Sequence, residues 1–217
     1  MFVHHLVPRT ELVQHTEADG YRFYQLPNGD KFNSVTTVLK GYYQKDLSEW
    51  QNRIGKKRAD HITKQSAVKG KQFHNVCEKY MMNNPDFNQG VMPATLGRFN
   101  LIKPYLDANV SVVYGIEQGL YSYKYNTAGQ TDLMACWKGE NAVIDYKTSR
   151  TLKQEHWIED YFVQSTVYGL LANELYDLNI TKIVIINVPE YQPINIIEKP
   201  LSQYHQLADQ IFINERK

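Results

Sequence analysis

The chain has 217 residues, of which 42% are hydrophobic and 22% charged, and its formal net charge is +1. That suits one ordinary domain with a full core and excludes a whole-chain polycation. No apolar run reaches the length of a membrane span, and two cysteines, Cys77 and Cys136, are too few for a disulfide framework or a four-thiolate cluster.

The cysteine usage points to a reducing compartment. Met1-Phe2-Val3-His4-His5 lacks a basic start followed by a long apolar block. No secretory signal is therefore expected, and the expected setting is cytoplasmic, in a bacterium or a virus-infected host cell. Leu6-Val7-Pro8-Arg9 looks like part of a protease-cleavable tag, but Thr10-Glu11 does not continue one, and the segment is read as native. Tyr21 to Leu26 reads as a strand, Pro27-Asn28-Gly29-Asp30 as a turn and Lys31 to Leu39 as the returning strand of a β-hairpin, with Ser34 to Leu39 leading on towards helix. Ser48-Glu49-Trp50 opens a helix with Ser48 as N-cap, expected to break near Gly55 or Ser66. From Asn52 to Gln72 seven Lys/Arg, among them Lys57, Arg58 and Lys71, face one acid, Asp60, a local +6 in a +1 protein. A stretch of this kind suits a phosphate footprint or a solvated helix face equally.

A second helix, from about Ala67 to Asn83, puts His74, Cys77, Glu78 and Met81 on one face, and Asn83-Asn84-Pro85 ends it. Leu96 to Leu106 reads as helix disturbed at its end by Pro104. From Val110 the period changes. Ser111 to Glu117, Leu120 to Tyr125 and Gln130 to Trp137 read as three strands, with Asn126 to Gly129 a turn and Lys138 to Asn141 a tight turn into Ala142 to Lys147. A long helix from His156 to Asp177, an apolar strand from Lys182 to Val188, an edge strand from Ile194 to Glu198 and a helix from Leu201 to Asn214 complete the chain. This order implies an α/β fold, a central mixed sheet flanked by helices with an N-terminal β-hairpin and helical extension. Residues 1–65 are expected to form that extension, packed on a core of residues 66–217, the whole a single compact domain.

Asp145 and Lys147 stand two apart on a strand and so point to one face. Buried there, the natural partners are a divalent metal for the acid and a phosphate for the amine. If Lys138 to Asn141 is the hairpin turn, residues whose numbers sum to about 277–279 face each other, which sets Asp132 opposite Asp145 to Lys147. Paired carboxylates repel, and a hard divalent cation resolves the repulsion. Glu117, at the end of the preceding strand, is a third acid within reach, and His74 lies on a helix expected to cross these strands. The residues predict a site of His74, Asp132 and Asp145 around Mg²⁺ or Mn²⁺. Lys147 beside it would orient or deprotonate a water, or stabilise charge on a pentavalent phosphorus. Each residue alone has a plainer reading: His74 as a core histidine, Asp132 as a turn cap, Asp145-Tyr146-Lys147 as a strand end surfacing into water. Glu78 orients a neighbour or makes a surface ion pair. Tyr42, Tyr43 and Trp50 are candidates for stacking on bases, though packing explains most of the 16 tyrosines.

Gly70-Lys71-Gln72-Phe73-His74 resembles the Gly-x-x-x-His element of RecB-like nucleases of the PD-(D/E)XK superfamily. Gly129-Gln130-Thr131-Asp132 is similar to their Gly-x-x-Asp, Asp145-Tyr146-Lys147-Thr148-Ser149 to their Asp-x-Lys core with its Thr-Ser extension, and Gln164-Ser165-Thr166-Val167-Tyr168 to the Gln-x-x-x-Tyr of this branch. Ser34 to Leu39, Trp50 and Phe73-His74 with Glu78 look more specifically like the mitochondrial genome maintenance exonuclease and its viral and bacterial relatives. The resemblance covers roughly residues 20 to 175.

It implies a restriction-endonuclease-like core and a Mg²⁺- or Mn²⁺-dependent deoxyribonuclease acting at ends, mainly on single-stranded DNA, in replication, repair or recombination. Metal contact would fall to His74, Asp132, Asp145 and the main-chain carbonyl of Tyr146, whose side chain should then tolerate change better than those of its neighbours. Catalysis would fall to Lys147 with Asp132, Asp145 and Glu117. Gln164 and Tyr168 would position substrate or Lys147, and Thr148, Ser149, Lys71, Lys57 and Arg58 would contact the strand. Some relatives carry an iron–sulfur cluster on four cysteines, which this chain does not have, so no such cluster is expected. No Walker motif occurs, so any helicase, like any polymerase or single-strand-binding protein, would be a separate partner, and no membrane is involved. A structure-selective endonuclease and a catalytically idle DNA-binding module are the alternatives.

Overall fold

The computed structural model describes residues 1–18, 20–44 and 48–214, and of Glu49 and Trp50 the backbone alone. In chain order the elements are β1 (Val3–His4), β2 (Val13–Thr16), β3 (Arg22–Gln25), β4 (Lys31–Ser34), α1 (Val35–Tyr43), α2 (Ser48–Ile54), α3 (Lys56–Met81) and α4 (Pro93–Asn109). There follow β5 (Val110–Ser122), β6 (Thr127–Trp137), β7 (Glu140–Ser149), α5 (Glu159–Tyr176), β8 (Lys182–Pro189), β9 (Asn195–Pro200) and α6 (Ser202–Asp209), which runs into a π-helical turn over Gln210–Asn214.

The strands form one mixed sheet flanked by helices. β5 and β6 are its long antiparallel pair. β7 returns along β6 through Lys138-Gly139, whose φ values of 51° and 83° are those of a two-residue hairpin turn that follows the natural strand twist. β8 lies parallel to β7 after the α5 crossover, and β9 closes that side as an edge strand. Alternation along β7 and β8 divides the core. Val143, Ile183 and Ile185 pack with α1, α5 and α6, whereas Ile144, Tyr146, Val184 and Ile186 pack with α3 and α4.

One irregularity places the site. β5 occupies one edge of β6 from Thr127 to Trp137. On the other edge β4 pairs only at Thr127 and Ala128, and β7 pairs only from Leu133 onward. Between them, residues 129–132 of β6 face a fork. β7 leaves it paired with β8 alone.

Several sequence expectations are corrected. Residues 35–39 are helical, not strand. The Ser34 hydroxyl accepts from Thr37 N at 3.0 Å, and Val35 and Leu39, one turn apart, are both buried, which overrides the strand preference of the β-branched run Val35 to Val38. α2 and α3 part at Gly55, φ 84°, but α3 continues unbroken through Ser66 to Met81. α4 runs five residues past Pro104. The two strands expected over 111–125 are one, β5. The expected break between Glu117 and Leu120 is absent, because pairing to β6 keeps one register from Ile116 to Ser122, and the register shifts fall earlier, between Val110 and Val112 and between Val113 and Gly115. β1 and β2 had no sequence signal. The segment suspected of being a tag is built in: His5 N and Val7 N donate to Val113 O and Tyr114 O at 2.9 Å. No helix among the described residues is long and apolar enough to cross a membrane.

Candidate metal and phosphate site

The hairpin register sums to 277 throughout, as in Leu133↔Ile144 and Trp137↔Glu140, and that brings Asp132 to Asp145 at the mouth of the fork. The strands have parted there. The Asp132 carboxylate crosses the gap and accepts from Tyr146 N through Oδ2 at 2.8 Å. Its Oδ1 lies 3.2 Å from His74 Nδ1, which α3 delivers from one face of the sheet. On β5, the pairs Ile116↔Leu133 and Gln118↔Thr131 put Glu117 opposite Asp132. Glu117 adopts φ 46°, a left-handed conformation that costs an L residue about 1 kcal/mol or more. The Gln130 amide holds it there, donating to its carbonyl at 3.1 Å and to Oε2 at 2.8 Å.

His74, Glu117 and Asp132 offer ligand atoms within 4.8 Å of one another. Two carboxylate oxygens and one imidazole nitrogen are a donor set for a hard to borderline divalent cation. The electrostatics fit the same use. Burial disfavours charge on Asp132, yet the His74 cation and its hydrogen bond, then Lys147, hold the carboxyl below the usual range. Burial also works against a charged His74, but the Asp132 charge and hydrogen bond raise it to about 9. Glu117 is pushed up to about 7 by burial and by the neighbouring Asp132 charge. Without a cation, His74 and Glu117 hold their protons to higher pH around an ionised Asp132.

Asp145 is not in that group of three. Its carboxylate, 3% exposed, faces the α5 side and is gripped by Lys147 Nζ at 2.6 Å on Oδ2 and 2.8 Å on Oδ1. Burial lifts Asp145 to about 6 against the pull of the Lys147 charge. The shared face expected for Asp145 and Lys147 is thus observed, as an ion pair. A buried pair of this kind costs dehydration, which its mutual attraction and further hydrogen bonds offset.

α5 completes this half. Lys147 Nζ donates to Gln164 Oε1 at 3.4 Å, and Gln164 Nε2 donates to the Tyr168 hydroxyl at 3.4 Å. Tyr168 lies flush on Gly129: a Cβ there would sit 2.7 Å from the ring and 2.9 Å from the hydroxyl. Gly129 is therefore required by close approach. Tyr161, one turn before Gln164, stacks under Lys147 with the ammonium 4.9 Å from the ring centre. Lys153 caps the same ring at 4.9 Å and donates to its hydroxyl at 2.5 Å. Tyr161 was missed by sequence reasoning, although its spacing to Gln164 and Tyr168 puts all three on one helix face.

The Tyr146 side chain belongs to the packing behind the cluster. It is 2% exposed and packs edge-on against Phe73 at 6.4 Å and His74 at 6.2 Å. Among the described residues no partner meets its hydroxyl, and burial raises its pKa well above the usual phenol range. Glu78 is half-buried one turn after His74. No ion pair reaches it among the described residues, and its charge is felt at Glu117.

Beyond Lys147 a cleft of 310 Å³ opens between α3, α4 and the end of β7. Thr148 and Ser149 line it with Arg58, Lys69, Arg98 and Arg150, and Glu190 bridges Lys69 at 2.9 Å and Arg98 at 2.5 Å. The Ser149 hydroxyl lies 2.8 Å from Thr151 O and 3.0 Å from Asn187 Oδ1, and its single proton serves one of them at a time. Of the basic stretch read from sequence, Arg58 and Lys69 reach this cleft. Lys57 and Lys71 are exposed on α3 and line neither it nor the metal cluster. Arg98 and Arg150 come from elsewhere and were not singled out. The side chain of Trp50 lies outside the described residues, Tyr42 is exposed, and Tyr43 donates to Glu159 at 3.2 Å, away from the cluster.

No protein-family model and no curated protein sequence matches this chain. Among solved structures it is similar to a provisionally named exonuclease from Eubacterium rectale, at 14% identity and a TM-score of 0.46 over 67% of this chain. The chain spans 64% of that protein's length. It is also similar to the protein SSO0001, at 16% identity and a TM-score of 0.31, over 67% of this chain and 72% of the other.

Proposed function

We propose that this protein is a divalent-metal-dependent nuclease of the PD-(D/E)XK kind that hydrolyses phosphodiester bonds in DNA, preferring single strands with free ends. The observation that carries the reading is the meeting, at the sheet fork, of the His74–Glu117–Asp132 cluster with the Asp145–Lys147 ion pair. A cluster of acids beside a basic cleft is costly for a protein that only binds DNA, because phosphate and carboxylate repel. It is useful for one that brings a cation to phosphate.

His74, Glu117 and Asp132 would hold Mg²⁺ or Mn²⁺, with Asp145 and the Tyr146 carbonyl at the adjoining strand. Bound there, the cation supplies positive charge against phosphate oxygens and acidifies water. The protein's own part is as follows. Arg58, Lys69, Arg98 and Arg150 hold the strand by its phosphates. Lys147, oriented by Asp145, Gln164 and Tyr161, presents its ammonium where charge grows on the phosphoryl oxygens. Water adds its oxygen to phosphorus, the P–O3′ bond breaks, and the 3′ oxygen leaves with a proton, giving a 5′-phosphate on the other fragment.

The test is end-labelled single-stranded DNA incubated with Mg²⁺ or Mn²⁺, with and without chelator. Label is expected to be released only with metal, and Lys147→Ala should cut the rate by about 10²-fold or more. Full activity in chelator or in Lys147→Ala rejects the reading. A strand that binds equally well with chelator and is never cut favours a DNA-binding module instead.

A further inference from the structure

A second cleft, of 290 Å³, meets the cluster from the other side. Glu117 belongs to its wall as well as to the metal cluster, with Gln130, Gly119 and Tyr24 beside it. It shares no lining residue with the basic cleft, which reaches the site through Thr148. Its outer wall is the N-terminal segment Arg9–Gln14.

That segment is fastened along its length. Pro8 O accepts from Gln118 Nε2 at 3.1 Å, and the Thr10 hydroxyl meets that of Tyr176 at 2.5 Å. Gly119 lies so close beneath that a Cβ would sit 2.8 Å from Thr10 O. Past Leu12 the segment becomes β2, paired with β3 from Val13↔Gln25 to Thr16↔Arg22, and Tyr24 donates to Gln14 Oε1 at 3.2 Å. A path that enters along the basic cleft and crosses the metal cluster is met at its far side by this strap.

We propose that the second cleft is the seat of the terminal nucleotide of a DNA strand, and that Arg9–Gln14 is the wall that ends the strand's path. This rests on the nuclease reading above. At 290 Å³ the cleft is at the small end of ligand sites, which run from about 300 to 1,000 Å³, so it suits one nucleotide and not a strand passing through. Its lining suits the same unit. Arg9, next to the acid Glu11, offers a guanidinium for phosphate, and the amide atoms not engaged by Glu117 and Tyr24, Gln130 Oε1 and Gln14 Nε2, offer one acceptor and one donor to a base edge. Dependence on a free end is then a property of the strap, and release of single nucleotides is a property of the cleft's size.

Two measurements decide it. First, linear and circular single strands of one sequence are digested with Mn²⁺ and the products sized. Single nucleotides from the linear strand and an intact circle are expected, and deletion of residues 1–12 should make the circle a substrate. Second, deoxyadenosine 5′-monophosphate is titrated in chelator by isothermal calorimetry. Arg9→Glu, an exposed substitution that leaves the core untouched, should weaken binding at least tenfold. If the linear strand is degraded into oligonucleotides, if the circle is cut as fast, or if Arg9→Glu binds the monophosphate as the parent does, the proposal falls while metal-dependent DNA hydrolysis stands, and a circle cut as fast also removes the preference for free ends. If no strand is cut with metal, the nuclease reading falls. The monophosphate titration then still supports or overturns the second cleft as a nucleotide site.

Discussion

At Tyr146 a single residue serves the site twice. Its main chain donates to Asp132 at 2.8 Å while its ring backs the His74 imidazole. Its hydroxyl, buried without a partner among the described residues, contributes nothing to either job. Tyr146→Phe should therefore be neutral or stabilising, by up to about 1 kcal/mol. Tyr146→Ala should cost about 3–5 kcal/mol and loosen His74 as well. Urea unfolding of the two variants against the parent measures both, and equal destabilisation by Phe and Ala would contradict this account. Glu117 is the other residue whose role only the fold shows. In sequence Glu117 reads as the end of one strand, with the next beginning at Leu120. In the sheet both stretches belong to β5, so Glu117 sits in mid-strand opposite Asp132.

At the level of elements the determining feature is the fork in the edge of β6, and Gly129 is its most constrained point. In Gly129→Ala the new methyl would meet the Tyr168 ring at 2.7 Å, and that ring, 4% exposed, has nowhere to move cheaply. Overpacking of this kind costs about 1–3 kcal/mol. The shift in urea midpoint should show it, together with a fall in turnover as Tyr168 is pushed from Gln164. How much of this was legible follows from the physics of each element. The two-residue turn at Lys138-Gly139 leaves one register, so the placement of Asp132 against Asp145 could be counted from the sequence. Alternation put Asp145 and Lys147 on one face, and helical spacing chose His74 and Glu78. The basic cleft could not be counted in this way, because Arg58, Arg98, Arg150 and Glu190 come together only through long-range packing of α3, α4 and β7. The helical start at Val35 was hidden by β-branched residues, and a cap with two buried side chains outweighed them.

The whole molecule carries the cluster's charge as a pH dependence of stability. Without metal, Asp145, Glu117 and His74 hold their protons more tightly folded than unfolded, with folded values of about 6, 7 and 9 against 3.8, 4.5 and 6.5. A group raised on folding favours the folded state below its unfolded pKa, and that preference is lost as pH climbs to the folded value. All three act in one direction, so metal-free protein should lose stability steadily between about pH 4 and 9. A cation takes the place of those protons, so stabilisation by Mn²⁺ should grow over the same interval. Thermal unfolding with Mn²⁺ and with chelator, from pH 5 to 9, measures the divergence. Parallel curves would mean that these groups do not bind the metal.

The parallel pairing of β1 to β5 and of β4 to β6 has a consequence for how the chain is made. Val3 and His4 pair with Val112 and Val113, and Asn33 and Ser34 with Thr127 and Ala128. During vectorial synthesis the first strands leave the ribosome long before their partners exist. β1 waits unpaired, and β4, which can already pair with β3, waits for its second partner until the β5–β6 hairpin is complete, because contacts of such sequence separation form late. Pulsed hydrogen exchange during refolding should find amides of β5, β6 and β7 protected before those of His5 and Val7, which donate to β5. The order also means that a nascent chain assembles its cluster of acids while the strap over the second cleft is still undocked.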